Sequence, residues 1–200
     1  MNDNIRADLL GLIHKEQEQL QSGTITQHHL MDNFHNLFQT LTNENVDLQA
    51  YFADTSSFEQ AFNNLEEPWR FAIASYIFLG QVSHGGFGQF LLNTAGFAPV
   101  VAAFVDCYGS PSSLEHFDEA YNRLYTEDFL KGLQKMQGEI AQLDLSTETQ
   151  QQQAQQIAQQ HIGLLDSHHF DNWFNRQKGV AEFILAMIRL IEDNETVFFI

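Results

Sequence analysis

Apolar residues recur at helical spacing along almost the whole chain. Ile5, Leu9, Leu12, Ile13 and Leu20 mark one amphipathic segment, and Leu30, Phe34, Leu37, Phe38 and Leu41 mark a second. Steps of three and four keep such residues on one helical face. Ser22-Gly23 ends the first segment and Thr24 or Thr26 caps the next, so the pair reads as an αα-hairpin. Thr42-Asn43-Glu44-Asn45 and Asp54-Thr55-Ser56-Ser57 carry turn chemistry. Between them, Val46, Leu48, Tyr51 and Phe52 form a short helix or a packed loop. Ser56-x-x-Glu59 fits a capping box, opening a helix with Phe58, Phe62 and Leu65 inward.

The pattern changes between Pro68 and Gly96. Trp69, Phe71, Ile73, Tyr76, Ile77, Phe78, Leu79 and Val82 surround a helix that is apolar nearly all round, which predicts burial on most sides. Glu66, Glu67 and Pro68 suit its first turn. The run His84-Gly85-Gly86-Phe87-Gly88-Gln89-Phe90 then predicts a sharp turn. Gly85 is the expected left-handed terminator and Gly86 the close-turning residue, before a second buried helix to Gly96.

Beyond Gly96 the pattern returns to amphipathic helices. Pro99 opens one with Val100, Val101, Phe104 and Val105, ending at Gly109. Ser112-x-x-Glu115 reads as a capping box for a helix with Leu114, Phe117, Tyr121, Leu124 and Tyr125 inward. Thr126 restarts the chain, and Phe129, Leu133, Met136, Ile140 and Leu143 form a seam of the coiled-coil kind. The glutamine-rich stretch 146–160 predicts a helix, with Ala154, Ile157, Ala158, Ile162 and Leu165 on one face. Ser167 caps a segment with Phe170, Trp173 and Phe174. A last helix carries Val180, Phe183, Ile184, Met187, Ile188 and Ile191, and Val197-Phe198-Phe199-Ile200 packs on the core. The expectation is one all-α domain over 1–200, a multi-helix bundle around a buried central helix and glycine turn. It divides into N-terminal helices (1–67), a core (68–125) and C-terminal helices (126–200).

Composition adds to this picture in two ways. Eighteen phenylalanines predict aromatic packing between helices. A formal charge of −17, from 26 acids against 9 Lys and Arg, repels nucleic acid and anionic membranes and attracts a basic protein surface. No direct nucleic-acid or membrane partner is therefore expected. A solvated acidic surface with no partner accounts for the same charge. The one cysteine, Cys107 in AAFVDCYG, excludes an internal disulfide and reads as a small buried hydrophobe. Asp3, Arg6, Asp8 and His14 are unlike a signal peptide, and no apolar run approaches the about 20 residues of a membrane span. A cytoplasmic protein is the expectation.

Catalytic signatures are missing. Gly88 is followed by Gln89 and Phe90, not by the Lys and Ser/Thr of a phosphate loop. There is no G-x-S-x-G and no H-E-x-x-H. His28, Asp32 and His35, spaced i, i+4, i+7, fall on one helical face with ligand chemistry. That face adjoins the apolar one, where solvated polar residues belong. His168-His169-Phe170-Asp171 matches no zinc signature considered. No metal or cofactor is expected, and the chain reads as a non-enzyme.

The acids are distributed unevenly. No Lys or Arg lies between Lys15 and Arg70, while Glu16, Glu18, Asp32, Glu44, Asp47, Asp54, Glu59, Glu66 and Glu67 do. Glu115, Asp118 and Glu119 share a helical face, with Glu127 and Asp128 just beyond. Carboxylates so spaced lie roughly 5–6 Å apart. That is of the order of phosphate spacing along a nucleic-acid strand. These five residues are the candidate partner-binding face.

The central stretch resembles the bacterial DNA-mimic protein family. The shared features are an apolar helix, a turn of the Asn-Gly-Gly-Phe kind, then Gln, an aromatic, Asn and Gly. Here they are Tyr76, Val82, Gly85, Gly86, Phe87, Gln89, Phe90, Asn93 and Gly96, with His84 where the family has Asn. The resemblance covers about residues 68–125. It implies an acidic all-α protein, often a homodimer, that binds a DNA-binding regulator in place of DNA. Related small acidic domains serve as immunity proteins against secreted toxins, which is the alternative reading. A metal-dependent enzyme using His28, Asp32 and His35 is the third.

Overall fold

The computed structural model describes Lys15 and residues 27–45, 55–162, 165–176 and 178–198. Apart from Lys15, the expected first helix (Ile5 to Leu20), its Ser22-Gly23 end, the Thr24/Thr26 cap, the Val46–Phe52 element and Phe199-Ile200 lie outside them. Every regular element among the described residues is helical, as the spacing predicts. In chain order they are α1 (Gln27–Asn45), α2 (Thr55–Asn64), α3 (Glu67–Thr94), α4 (Ala98–Tyr108), α5 (Pro111–Leu124) and α6 (Glu127–Ile140). There follow α7 (Glu148–Ile162), α8 (His168–Arg176), α9 (Gly179–Asp193) and α10 (Glu195–Phe198).

The long α3 runs through the middle, packed by α4, α8, α9, α7 and α10. By length and composition the stretch Glu67–Tyr108 is apolar enough for a membrane span, contrary to the expectation that no apolar run approaches that length. Here it supplies the core. Trp69, Phe71, Phe78, Val82, Phe87, Phe90 and Leu91 are all buried. Phe78 is the hub: its ring lies 4.8 Å from Phe90, 4.8 Å from Phe183, 5.7 Å from Phe117 and 5.7 Å from Phe174. Most of these contacts are edge-to-face, the arrangement that the charge distribution of the rings favours. One aromatic cluster thus ties α3 to α5, α8 and α9. The predicted seam of α6 closes a smaller cluster, in which Leu133 and Met136 pack on Leu92 and Ala95 at the end of α3. The terminal expectation holds at Phe198, which is buried with its ring 4.6 Å from Trp69.

The glycine knot breaks the helix as predicted, and two helical halves meet across a kink. The residue that makes the break differs from the prediction. Gly86, not Gly85, takes the positive φ (81°, with ψ 177°), and helical geometry resumes at once. The break takes the Phe87 N–H out of the helical ladder. Asp171 on α8 replaces the missing acceptor, with Phe87 N donating to Asp171 Oδ1 at 2.7 Å. Ser167 Oγ donates to the other carboxylate oxygen at 2.6 Å. A side chain at Gly86 has no room, since a Cβ there would sit 2.5 Å from Asp171 Oδ2. Backbone strain and the approach of α8 therefore both require glycine.

Three local expectations are corrected. Helix α5 is capped by Ser110, whose hydroxyl accepts from Ser113 N at 3.0 Å, and Ser112 lies inside the first turn. Pro111 at the first helical position sets that start, and Glu182 of α9 accepts from the Ser110 hydroxyl at 2.5 Å. Helix α2 already includes Thr55, so Ser56 does not precede it. Cys107 is exposed, not buried. The inward face of α4 is Val101, Phe104 and Val105, and Cys107 points off it. Thr126, where the chain restarts, caps α6, accepting from Phe129 N at 3.2 Å.

Gly86→Ala is expected to destabilise the protein by about 2–4 kcal/mol, combining a strained backbone with a clash against Asp171. Gly138→Ala, in α6 with open space around the new methyl, is expected to stabilise by about 0.5–1 kcal/mol. Urea denaturation of both variants measures the contrast, and equal effects would show that the kink imposes no such demand.

Candidate functional site

The predicted partner face is solvent-facing. On α5 the residues Phe117, Ala120 and Leu124 go inward, which leaves Glu115 and Glu119 exposed and Asp118 half-buried. Glu127 and Asp128 are exposed in the first turn of α6, where the helix dipole favours anions. They follow the break at Tyr125-Thr126 and sit on a separate helix from the other three. Glu127 is offset by Lys131, at 3.4 Å on the exposed surface.

The structure adds groups to this face that spacing did not show. Asp106 of α4 comes up beside Asp118. Burial first, and then the Asp106 charge, push the Asp118 carboxyl above the usual carboxylate range. Near Glu119 stand two imidazoles. His169 Nε2 lies 3.7 Å from Glu119 Oε2. The His169 ring stacks 5.6 Å from His116, which itself lies 4.5 Å from Trp173 and almost parallel to it. Asp106 and His169 come from helices other than α5, so no pattern within α5 reveals them.

The other motif residues play structural parts. Gln81 Oε1 accepts from Gln89 Nε2 at 3.2 Å and from Asn93 Nδ2 at 2.8 Å. This clasp joins the two halves of α3 across the kink. Gln81 was missed because it precedes the knot. Phe87 and Phe90 are buried in the aromatic cluster. Gly96 is exposed in the 3-10 turn Ala95–Phe97, and a methyl there would meet nothing nearby. His84 is exposed, and its Nδ1 donates to the Gly80 carbonyl at 2.7 Å.

A cleft of about 670 Å³ opens beside this clasp, between α1, α3 and the 3-10 turn. Phe34, Tyr76, Ile77, Leu79 and Phe97 make its apolar walls, and Asp32, His35, Gln81, His84 and Asn93 are among its polar lining. Tyr76 hydrogen-bonds His35 Nδ1, and burial raises the phenol above its ordinary range. Asp32 and His35 are exposed on α1, while the His28 side chain lies outside the described residues. Among the described residues, no group of three or more His, Cys, Asp or Glu is placed to hold a metal ion.

A family model for DMP19-like proteins matches residues 63–188, well over half of the chain. The chain belongs to the DMP19-like family. That family is a DNA-mimic protein family. The match runs from the end of α2 almost to the end of α9, so the kinked helix, the Asp171 anchor and all five predicted acids fall inside it. No curated protein and no solved structure matches.

The raised Asp118 carboxyl has a consequence for stability. A folded-state value above the unfolded one means that the native state binds more protons, so stability falls as pH rises through the range above the ordinary carboxylate value. Asp118→Asn is accordingly expected to raise the urea midpoint near pH 7, with the difference closing near pH 3. A pH-independent difference, or a loss of stability near pH 7, would contradict this reading.

Proposed function

We propose that this DMP19-like protein is a non-enzymatic interaction protein that occupies the nucleic-acid-binding surface of a basic partner. What carries the reading is family membership joined to an acidic face outside the core. A chain of charge −17 attracts a basic surface at long range, and its carboxylates take the positions of phosphates at short range.

Local energetics point the same way. Burial first, and then the Asp106 charge, disfavour the ionised Asp118 carboxyl, and an arriving cation offsets the repulsion between the two acids. Glu115 and Glu119 flank it, exposed on the same helix. Arg and Lys side chains of a groove built for phosphates supply such a cation. The partner is accordingly a DNA-binding regulator, and the chain acts in the cytoplasm by occlusion and not by chemistry. A homodimer presenting the face twice is the form that we propose binds.

The triple variant Glu115→Lys, Asp118→Lys and Glu119→Lys is expected to bind the partner isolated from native cells at least roughly 100-fold more weakly at low salt, mainly through a slower association rate. The parent's affinity is expected to fall steeply as salt rises. Calorimetry or surface-binding kinetics measures both. Unchanged affinity in the variant, with no salt dependence in the parent, would sink the proposal.

A further inference from the structure

We propose that the cleft between α1 and α3 binds a small uncharged molecule with a flat aromatic body and an amide edge. Its volume of about 670 Å³ lies in the range of small-molecule sites, which join apolar walls to a few converging polar groups. The lining comes from α1, α3 and the 3-10 turn, so the site does not rest on the acidic face of α5 and α6.

The walls suit a flat apolar body. Tyr76 and Ile77 line the cleft and are half-buried, so both keep apolar surface for a ligand to cover. The Tyr76 ring is held in place, stacked 4.4 Å from Phe38 and 5.7 Å from His35. Phe97 adds a second ring, held edge-on at 5.1 Å to Phe62. Rings fixed in this way pack on an aromatic ligand with little further loss of side-chain freedom.

Gly80 is an independent sign of close approach. It lies inside α3 and in the cleft wall, and a methyl added there would meet nothing within 4 Å. Alanine would suit the helix better, because glycine in a helix interior costs stability. No neighbouring helix needs the missing side chain. Its absence keeps open the space over the backbone, which a ligand packed against the helix requires.

The polar groups call for a neutral partner that both donates and accepts. Gln81 and Asn93 line the cleft, and Asn93 Nδ2 donates to Gln81 Oε1 at 2.8 Å. The clasp leaves the Gln81 amide NH2 and the second Asn93 N–H as donors, and the Asn93 carbonyl as acceptor. Turning the three amides of the clasp over exchanges donors for acceptors and still leaves both kinds. The ionisable groups of the lining are already engaged. Asp32 has an interaction partner, His35 bonds Tyr76, and His84 bonds the Gly80 carbonyl. The second ring nitrogens of the two histidines add a donor or an acceptor and set no demand for charge. A charged ligand would exchange its hydration for apolar walls and amides. An uncharged amide edge donates and accepts as Gln81 and Asn93 require.

The test is an amide NMR titration of the full chain with indole-3-acetamide, and with indole-3-acetate and tryptamine as the anion and cation on the same ring. The expected result is saturable shifts at Gly80, Gln81 and Asn93 for the amide, with each charged probe at least about fivefold weaker. Leucine is a good helix former, so Gly80→Leu is expected to keep at least the parent's urea midpoint. Its side chain takes the ligand's place and is expected to weaken the amide about tenfold or more. Asn93→Ala removes one carboxamide from an exposed position and is expected to weaken it about threefold. Four results would overturn the proposal. The first is a charged probe that binds as tightly as the amide. The second is amide affinity unchanged in either variant. The third is no saturation by about 5 mM. The fourth is shifts at these residues that follow protein concentration and not the amide, which would place a second copy in the cleft.

Discussion

The fold depends on a broken helix being repaired from outside. At Gly86 the backbone of α3 adopts a conformation that releases the Phe87 N–H from its own helix. A buried amide left without an acceptor costs about 1–3 kcal/mol. Asp171, distant in sequence, supplies the acceptor, and Ser167 holds the carboxylate by its other oxygen. A charged acceptor at the start of the second half-helix also meets the positive end of its dipole. The same contact draws α8 against α3, where Phe170 and Phe174 join the Phe78 cluster. Polar repair and aromatic packing therefore reinforce each other at one junction.

This arrangement separates scaffold from surface. The kink, the Gln81–Gln89–Asn93 clasp and the phenylalanine cluster fix how the helices meet. None of them presents chemistry for a reaction. The acids of α5 and α6 face solvent instead, carried on helices whose inner faces are anchored in that core. A partner that recognises charge needs carboxylates held at steady spacing, and a rigid helix supplies this without loops or moving parts. Burial first, and then the Asp106 charge, disfavour the ionised form of Asp118 on this face.

Helix positions were legible in the sequence because apolar periodicity and local caps are short-range signals. Thr126 and the inward face of α5 are examples. What escaped was set by contacts across the chain. Gly85 and Gly86 are adjacent, and local chemistry favours neither as the strained residue; the approach of α8 decides it. Nothing local to the run His168-His169-Phe170-Asp171 points Asp171 at an amide 84 residues away. Ser112 made a plausible capping box, but Pro111 started the helix one residue earlier and Ser110 took the cap. Cys107 was assigned by its apolar neighbours, whereas the period of α4 puts it off the buried face. On the candidate site, Glu115, Glu119, Glu127 and Asp128 are exposed and Asp118 is half-buried, and Asp106 and His169 come to the α5 acids from other helices. The cleft was invisible for the same reason, since α1 and α3 build it together.

The proposed acidic face and duplex DNA compete for one surface of the partner. The most direct measurement is competition: the partner isolated from native cells, bound to this protein, is titrated with duplex DNA and the complexes are counted by analytical ultracentrifugation. Mutually exclusive binding is predicted, with DNA displacing the protein and no species containing all three components. A stable ternary complex would contradict the account, because it would place the two ligands on different surfaces of the partner.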